Sequence, residues 1–308
     1  MSENRPQVIT TKQAKHQVNI LGGSLVLYIL LNLLLWHGVG LLYDRLNITF
    51  FDIDPEILCM AAAMVLMVII TFVFFSISAT RLHLPIRDYL KPTGMDFLHK
   101  TALVCIGIAI TVLTTYTGSF LNFLLHPASS AFAFVGHFTT PENILKNGLY
   151  FALFVLLKPV CDEYIFRGII QRQLGHYNRF FGVLASSLLY AIAQPSLPDA
   201  IPAFFTGWYL ALLTLRYHSI QPAIKTHLLI SLFLWVISII PDEYVLIPII
   251  VITLVYIVTL LFMVGNAVNY RIAFMRMPEK KLWKIVFTSS TIVICIILFI
   301  AENILSFL

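Results

Sequence analysis

Leu157-Lys158-Pro159-Val160-Cys161-Asp162-Glu163-Tyr164-Ile165-Phe166-Arg167-Gly168 is an apolar run with four charges set into it. A carboxylate at the centre of a membrane-spanning helix costs about 2.5–3.5 kcal/mol on insertion scales, so charge at such a place needs partners or a purpose. Lys158 and Asp162 stand at i,i+4, as do Glu163 and Arg167, which sets each acid beside a base on one helix. The plain reading is two structural ion pairs, with Arg167 snorkelling toward the cytoplasm. The sharper one is a functional site, and it depends on what the flanking segments bring to the same depth.

The composition places this stretch in a membrane. Of 308 residues 59% are hydrophobic and only 11% charged, against roughly 25% charged in ordinary globular domains. A window of about 19 residues finds apolar runs near 18–43, 57–78, 101–125, 144–166, 181–194, 201–215, 222–240, 244–264 and 285–307. The expected fold is therefore an all-α polytopic bundle of about nine transmembrane helices, without a separate soluble catalytic domain. Three segments follow: a tail with three helices (1–143), a four-helix core (144–240) and two C-terminal helices (241–308). The first run is too long for a signal-peptide core and reads as a retained anchor.

Charge asymmetry sets the expected orientation. With the N-terminus in the cytoplasm, 17 of the 20 basic residues fall on the inner side, including Lys12, Lys15, Arg81, Arg87, Arg172, Arg179 and Lys280. Lys158 lies within a run and only Arg45 and Lys146 lie outside, where the acids Asp44, Asp52, Asp54, Glu56, Glu142, Asp199, Asp242, Glu243 and Glu302 gather. This accounts for a pI near 9.0 without nucleic acid, and anionic lipid of the inner leaflet is the expected partner of the basic side. A multi-pass protein of a cell membrane, bacterial plasma membrane by its compact chain, is expected. Cys59, Cys105, Cys161 and Cys295 all sit in apolar runs and read as small core hydrophobes.

The polar groups of the next spans make the charges of 157–168 informative. Tyr190 and Gln194 share one face of the fifth run, and His227 and Ser231 one face of the seventh. Each alone reads as a cap, a packed core residue or interhelical glue. Beside paired carboxylates, they make a polar cavity the default expectation, open toward the cytoplasmic half. Pro195, Pro198 and Pro202 break the chain between the fifth and sixth runs, so irregular backbone, tolerated only around such a cavity, is expected there.

Asp162-Glu163-Tyr164-Ile165-Phe166-Arg167-Gly168 resembles the Glu-Glu-x-x-x-Arg motif of the CPBP intramembrane endopeptidases, the CAAX-protease and bacteriocin-processing proteins also called the Abi family. Tyr190-Ala191-Ile192-Ala193-Gln194 occupies the place of the family's Phe-x-x-x-His, and Ser219 to Ser231, with His227 and Ser231, that of its His-x-x-x-Asn. The resemblance covers about residues 144–236. It implies a glutamic peptidase, with Asp162 as base, Glu163 and Arg167 beside it, Gln194 holding the water, and His227 with Ser231 binding the oxyanion. The expected substrate is a membrane-associated peptide or protein, with no cofactor and no protein-bound metal. Three departures bear on activity. Asp162 is one methylene shorter than Glu, Gln194 cannot exchange a proton, and Ser231 has shorter reach than Asn. Lys158 favours charged Asp162 and so makes it a poorer base. The alternatives are a silent family member that binds a membrane-protein partner, and an ion-coupled transporter built on the paired acids, for which no inverted repeat is found.

Overall fold

The computed structural model describes residues 10–33, 55–92, 94, 97–125, 144–240, 242–244, 246–266 and 280–305. Arg5, Asp44, Arg45, Asp52, Asp54, Glu142, Arg271 and Arg276 lie outside the described residues, as do both ends of the chain and positions 34–43 of the first apolar run.

Among the described residues the regular structure is helical throughout. We number ten helices: α1 (Thr11–Leu33), α2 (Pro55–Ile69 continuing through Ile70–Phe75 and Ser76–Arg81), α3 (Phe97–Leu125), α4 (Ile144–Tyr150 continuing to Gln171–Gly175), α5 (Arg179–Ile192), α6 (Leu197–Tyr217), α7 (Gln221–Ser238), α8 (Leu246–Asn266), α9 (Lys280–Phe287) and α10 (Ser290–Leu305). Met60–Arg81, Phe97–Leu124, Gln221–Ser238 and Leu246–Val264 are each long and apolar enough to cross a membrane, and α9 with α10, bent by 70°, makes a fifth span if the pair is one. The remaining apolar runs fall short for local reasons. Helix α4 is interrupted by its own charges, α5 has 14 residues, and α6 begins on a polar turn containing Asp199. With its large apolar side chains exposed along α8, from Leu246 through Leu254 to Leu261, the chain is a multi-pass membrane protein.

Helix α6 is the centre of the bundle, packed between α3 and α5 and touching α7, while α1 packs against α2 and α10 and leans on the α4 side. In lipid such packing gains little from apolar burial and depends on close approach and interhelical hydrogen bonds. Both are present. Thr111 and Thr206 hydroxyls bond at 2.8 Å across α3 and α6, Ser24 and Ser78 at 2.7 Å across α1 and α2, and the Gln171 amide donates to the Ala211 carbonyl at 2.8 Å. Gly182 packs so tightly on the end of α4 that an added Cβ would lie 2.7 Å from Gly175 Cα, which holds α4 and α5 as a close hairpin.

The start of α5 is capped by Asn178, whose Oδ1 accepts from Phe181 N at 2.9 Å, and that of α6 by Ser196, whose Oγ accepts from Asp199 N at 3.2 Å. The expected proline break is shorter than the sequence implied. Pro195 lies in the non-helical link, but Pro198 occupies the first turn of α6, where no N–H is required, and Pro202 is inside the helix. The Pro198 carbonyl, which Pro202 cannot satisfy, faces Gly118 of α3 so closely that a Cβ there would overlap it.

Candidate active site

Two stretches of α4, Phe151–Leu157 and Glu163–Ile170, are π-helical. Such widened turns re-aim side chains and gather at functional sites. The second begins at Glu163, so Asp162 ends an α-helical turn and Glu163 opens a π turn, and the two carboxylates leave the helix in different directions.

Asp162 is fully buried and its oxygens are satisfied by three donors. Tyr28 on α1 donates to Oδ1 at 3.1 Å, while Lys158 at 2.6 Å and Tyr190 on α5 at 3.3 Å donate to Oδ2. The Lys158 ammonium also lies 5.6 Å from the centre of the Tyr190 ring. Sequence reasoning missed Tyr28. It sits 134 positions away in an apolar helix, and nothing in its local pattern separates it from a packed aromatic.

Glu163 is also fully buried but is partnered differently. Its Oε1 lies 3.0 Å from His227 Nδ1 on α7 and 3.2 Å from Arg167 Nη1, and its Oε2 has no hydrogen-bond partner among the described residues. Arg167 does not snorkel. Its side chain is completely buried, stacked with its guanidinium carbon 4.8 Å from the Tyr190 ring centre, and none of its nitrogens makes a well-directed hydrogen bond among the described residues. The space it occupies exists because position 207 on α6 is glycine: a Cβ there would lie 2.8 Å from Arg167 Nη2 and 2.9 Å from the Tyr190 ring.

A cavity of about 360 Å³ lies beside these layers. His227, Ser231, Tyr190, Gln194 and Lys158 are on its wall, together with Tyr28, Thr206 and the apolar Leu153 and Ile230, whereas Asp162, Glu163 and Arg167 are packed behind it. It reaches Pro195, Asp199 and Glu302, at the α5–α6 link and near the end of α10. The cavity therefore occupies the half of the bundle away from the α4–α5 turn, not the half facing it as expected. The physical reason is the plug of Arg167, Tyr190 and Gly207, which fills the path toward that turn. The Gln194 amide is turned onto its own helix, donating to Tyr190 O at 3.0 Å, so it caps α5 while remaining at the cavity wall. His227 and Ser231 share the cavity face of α7 at i,i+4 spacing. Cys161 and Cys295 are buried and Cys105 half-buried, all as free thiols, and the side chain of Cys59 lies outside the described set.

The arrangement separates its acids by task. One carboxylate, with both oxygens bonded, ties α1, α4 and α5 together. The other, held by a histidine and an arginine, is coupled through the imidazole to the cavity. A carboxylate on one imidazole nitrogen fixes the tautomer and leaves the other nitrogen to act on what enters the cavity.

No curated protein and no solved structure matches the chain. A family described as type II CAAX prenyl endopeptidase Rce1-like matches residues 145–233, which run from α4 to α7 and include Asp162, Glu163, Arg167, Gln194, His227 and Ser231. The four-helix segment that builds this site is accordingly similar to the type II CAAX prenyl endopeptidase Rce1-like family, over 89 of the 308 residues.

Proposed function

We propose that the chain is a membrane endopeptidase of the CAAX-protease type in which His227, oriented by Glu163, activates the attacking water. The observation that carries this reading is the 3.0 Å contact between His227 Nδ1 and buried Glu163, with the imidazole on the wall of the cavity. Glu163 accepts a hydrogen bond from Nδ1–H and remains a carboxylate, and Nε2 takes a proton from water as its oxygen attacks the peptide carbonyl carbon. The same proton passes to the departing amine as the C–N bond breaks. Ser231 Oγ donates to the oxygen that becomes negative, and Gln194, its Nε2 committed to Tyr190 O, offers Oε1 to the water. Arg167, 3.2 Å from Oε1, balances the Glu163 charge.

This differs from the roles the motif resemblance implies. Asp162 there is the base, but its two oxygens are engaged by Tyr28, Lys158 and Tyr190. The substrate is a membrane-associated peptide or protein. The positive-inside asymmetry supports nine spans with a cytoplasmic N-terminus, and anionic lipid as a second partner.

One observation favours a second reading. The groups at the two water-activating positions of the resemblance, Asp162 and Gln194, are held by internal hydrogen bonds, which suits a silent member that binds a membrane-protein partner. Purified full-length protein in lipid nanodiscs, given internally quenched peptides with a prenylated CAAX peptide among them, separates the two. The peptidase cleaves at least one and His227→Ala abolishes it. Cleavage of none, with a cellular phenotype indifferent to His227→Ala, leaves the scaffold.

A further inference from the structure

At the opposite end of α4 a second cavity of about 210 Å³ is formed where α4, α5 and α6 end or begin. Arg167, Arg172, His176, Arg179 and His218 line it, with Gln171, and no acidic side chain is among its lining residues. Three helix termini thus deliver five basic side chains to one concavity. Like charges are not gathered in a pocket without cost, and here the offset is partial: Arg167 stands 3.2 Å from Glu163 Oε1 behind the pocket, and Arg172 Nη1 donates to the Pro85 carbonyl. Arg167 is completely buried, yet Nε, Nη1 and Nη2 have no well-directed hydrogen-bond acceptor, and Gln171 Oε1 no donor, among the described residues. His218 holds a left-handed backbone at φ 50°, which turns the chain at the end of α6 and keeps the residue at the rim.

We infer that this pocket binds a phosphate group, with Arg167 at its floor and Arg172, Arg179 and His218 around it. A guanidinium's planar fork matches phosphate oxygens in pairs, and Arg167, though ion-paired with Glu163 through Nη1, keeps Nε and Nη2 without an acceptor among the described residues. Basic pockets between transmembrane helix ends take lipid headgroups in the same way. The pocket lies at the α4–α5 turn, where a bundle end meets the headgroup region. The His176 imidazole there is held below its ordinary pKa by burial and by Arg172, which fits a locally positive field. Both an anionic phospholipid headgroup and free inorganic phosphate supply this chemistry.

The test is binding by the purified full-length protein, which does not depend on whether it cleaves peptides. In detergent, inorganic phosphate is titrated by calorimetry; in a parallel arm, retention of phosphatidylglycerol against phosphatidylcholine is read by native mass spectrometry. Wild type should bind at least one of the two anions. The double variant R179Q and H218N, both at exposed positions with Asn tolerating the left-handed backbone, should weaken that binding about tenfold or more. Its melting temperature and any peptidase activity should be unchanged. Retention of the anionic lipid without binding of free phosphate assigns the site to headgroups, and the converse assigns it to a soluble phosphate. Binding of neither anion, binding that the variant leaves intact, or acetate binding as tightly as phosphate would overturn the inference.

Discussion

Asp162 and Glu163 are neighbours in sequence and equally buried, but they belong to different regions of the molecule. The Asp162 region is a knot in which a tyrosine from α1, a tyrosine from α5 and a lysine from α4 use up the carboxylate. The Glu163 region leaves Oε2 unbonded and puts a histidine between the acid and the cavity. In the proposed mechanism, therefore, burial alone does not distinguish the reactive acid from the structural one. What separates them is the number of donors already committed and whether an exchangeable group links the acid to open space.

The contrast can be broken most sharply at His227. His227→Ala should lower the cleavage rate by about 10²–10⁴-fold, the worth of a positioned acid–base group, with the protein still folded by circular dichroism. On the other side, Asp162→Asn should cost stability. Breaking a buried ion pair costs about 3–5 kcal/mol, and the lower end applies because Lys158 keeps 23% of its side chain exposed. A denaturant titration in mixed micelles measures this, while the rate per folded molecule should change little. Tyr28→Phe should be milder, at about 1.5–3 kcal/mol for one hydrogen bond to a charged group, again in stability with the rate retained. Smallest in stability but felt by both regions is Gly207→Ala. Overpacking there should cost about 1–3 kcal/mol and displace Arg167, so the melting temperature and the rate should fall together.

Much of this was legible in the sequence. Charges inside an apolar run, i,i+4 pairing and three motifs in order locate α4, α5 and α7, and the pairs Lys158–Asp162 and Glu163–Arg167 form as their spacing requires. Pro195 and its neighbours mark a link that borders the cavity. Three things were not legible. The partner Tyr28 is brought in by tertiary packing of α1, which no local pattern encodes. The direction in which the cavity opens depends on Gly207 admitting a buried arginine, and a lone glycine in an apolar helix carries no such message. The division of roles between Asp162 and Glu163 follows from a change of helix type between two adjacent residues, and helical periodicity assumes that type to be constant.

The central claim is that Glu163, through His227, serves the chemistry and that Asp162 serves the fold. The most direct measurement compares Glu163→Gln and Asp162→Asn in the same nanodisc cleavage assay, each rate divided by the folded fraction. Glu163→Gln should lose about 100-fold or more, and Asp162→Asn should keep near wild-type turnover. Near wild-type turnover for Glu163→Gln together with loss in Asp162→Asn would contradict that claim.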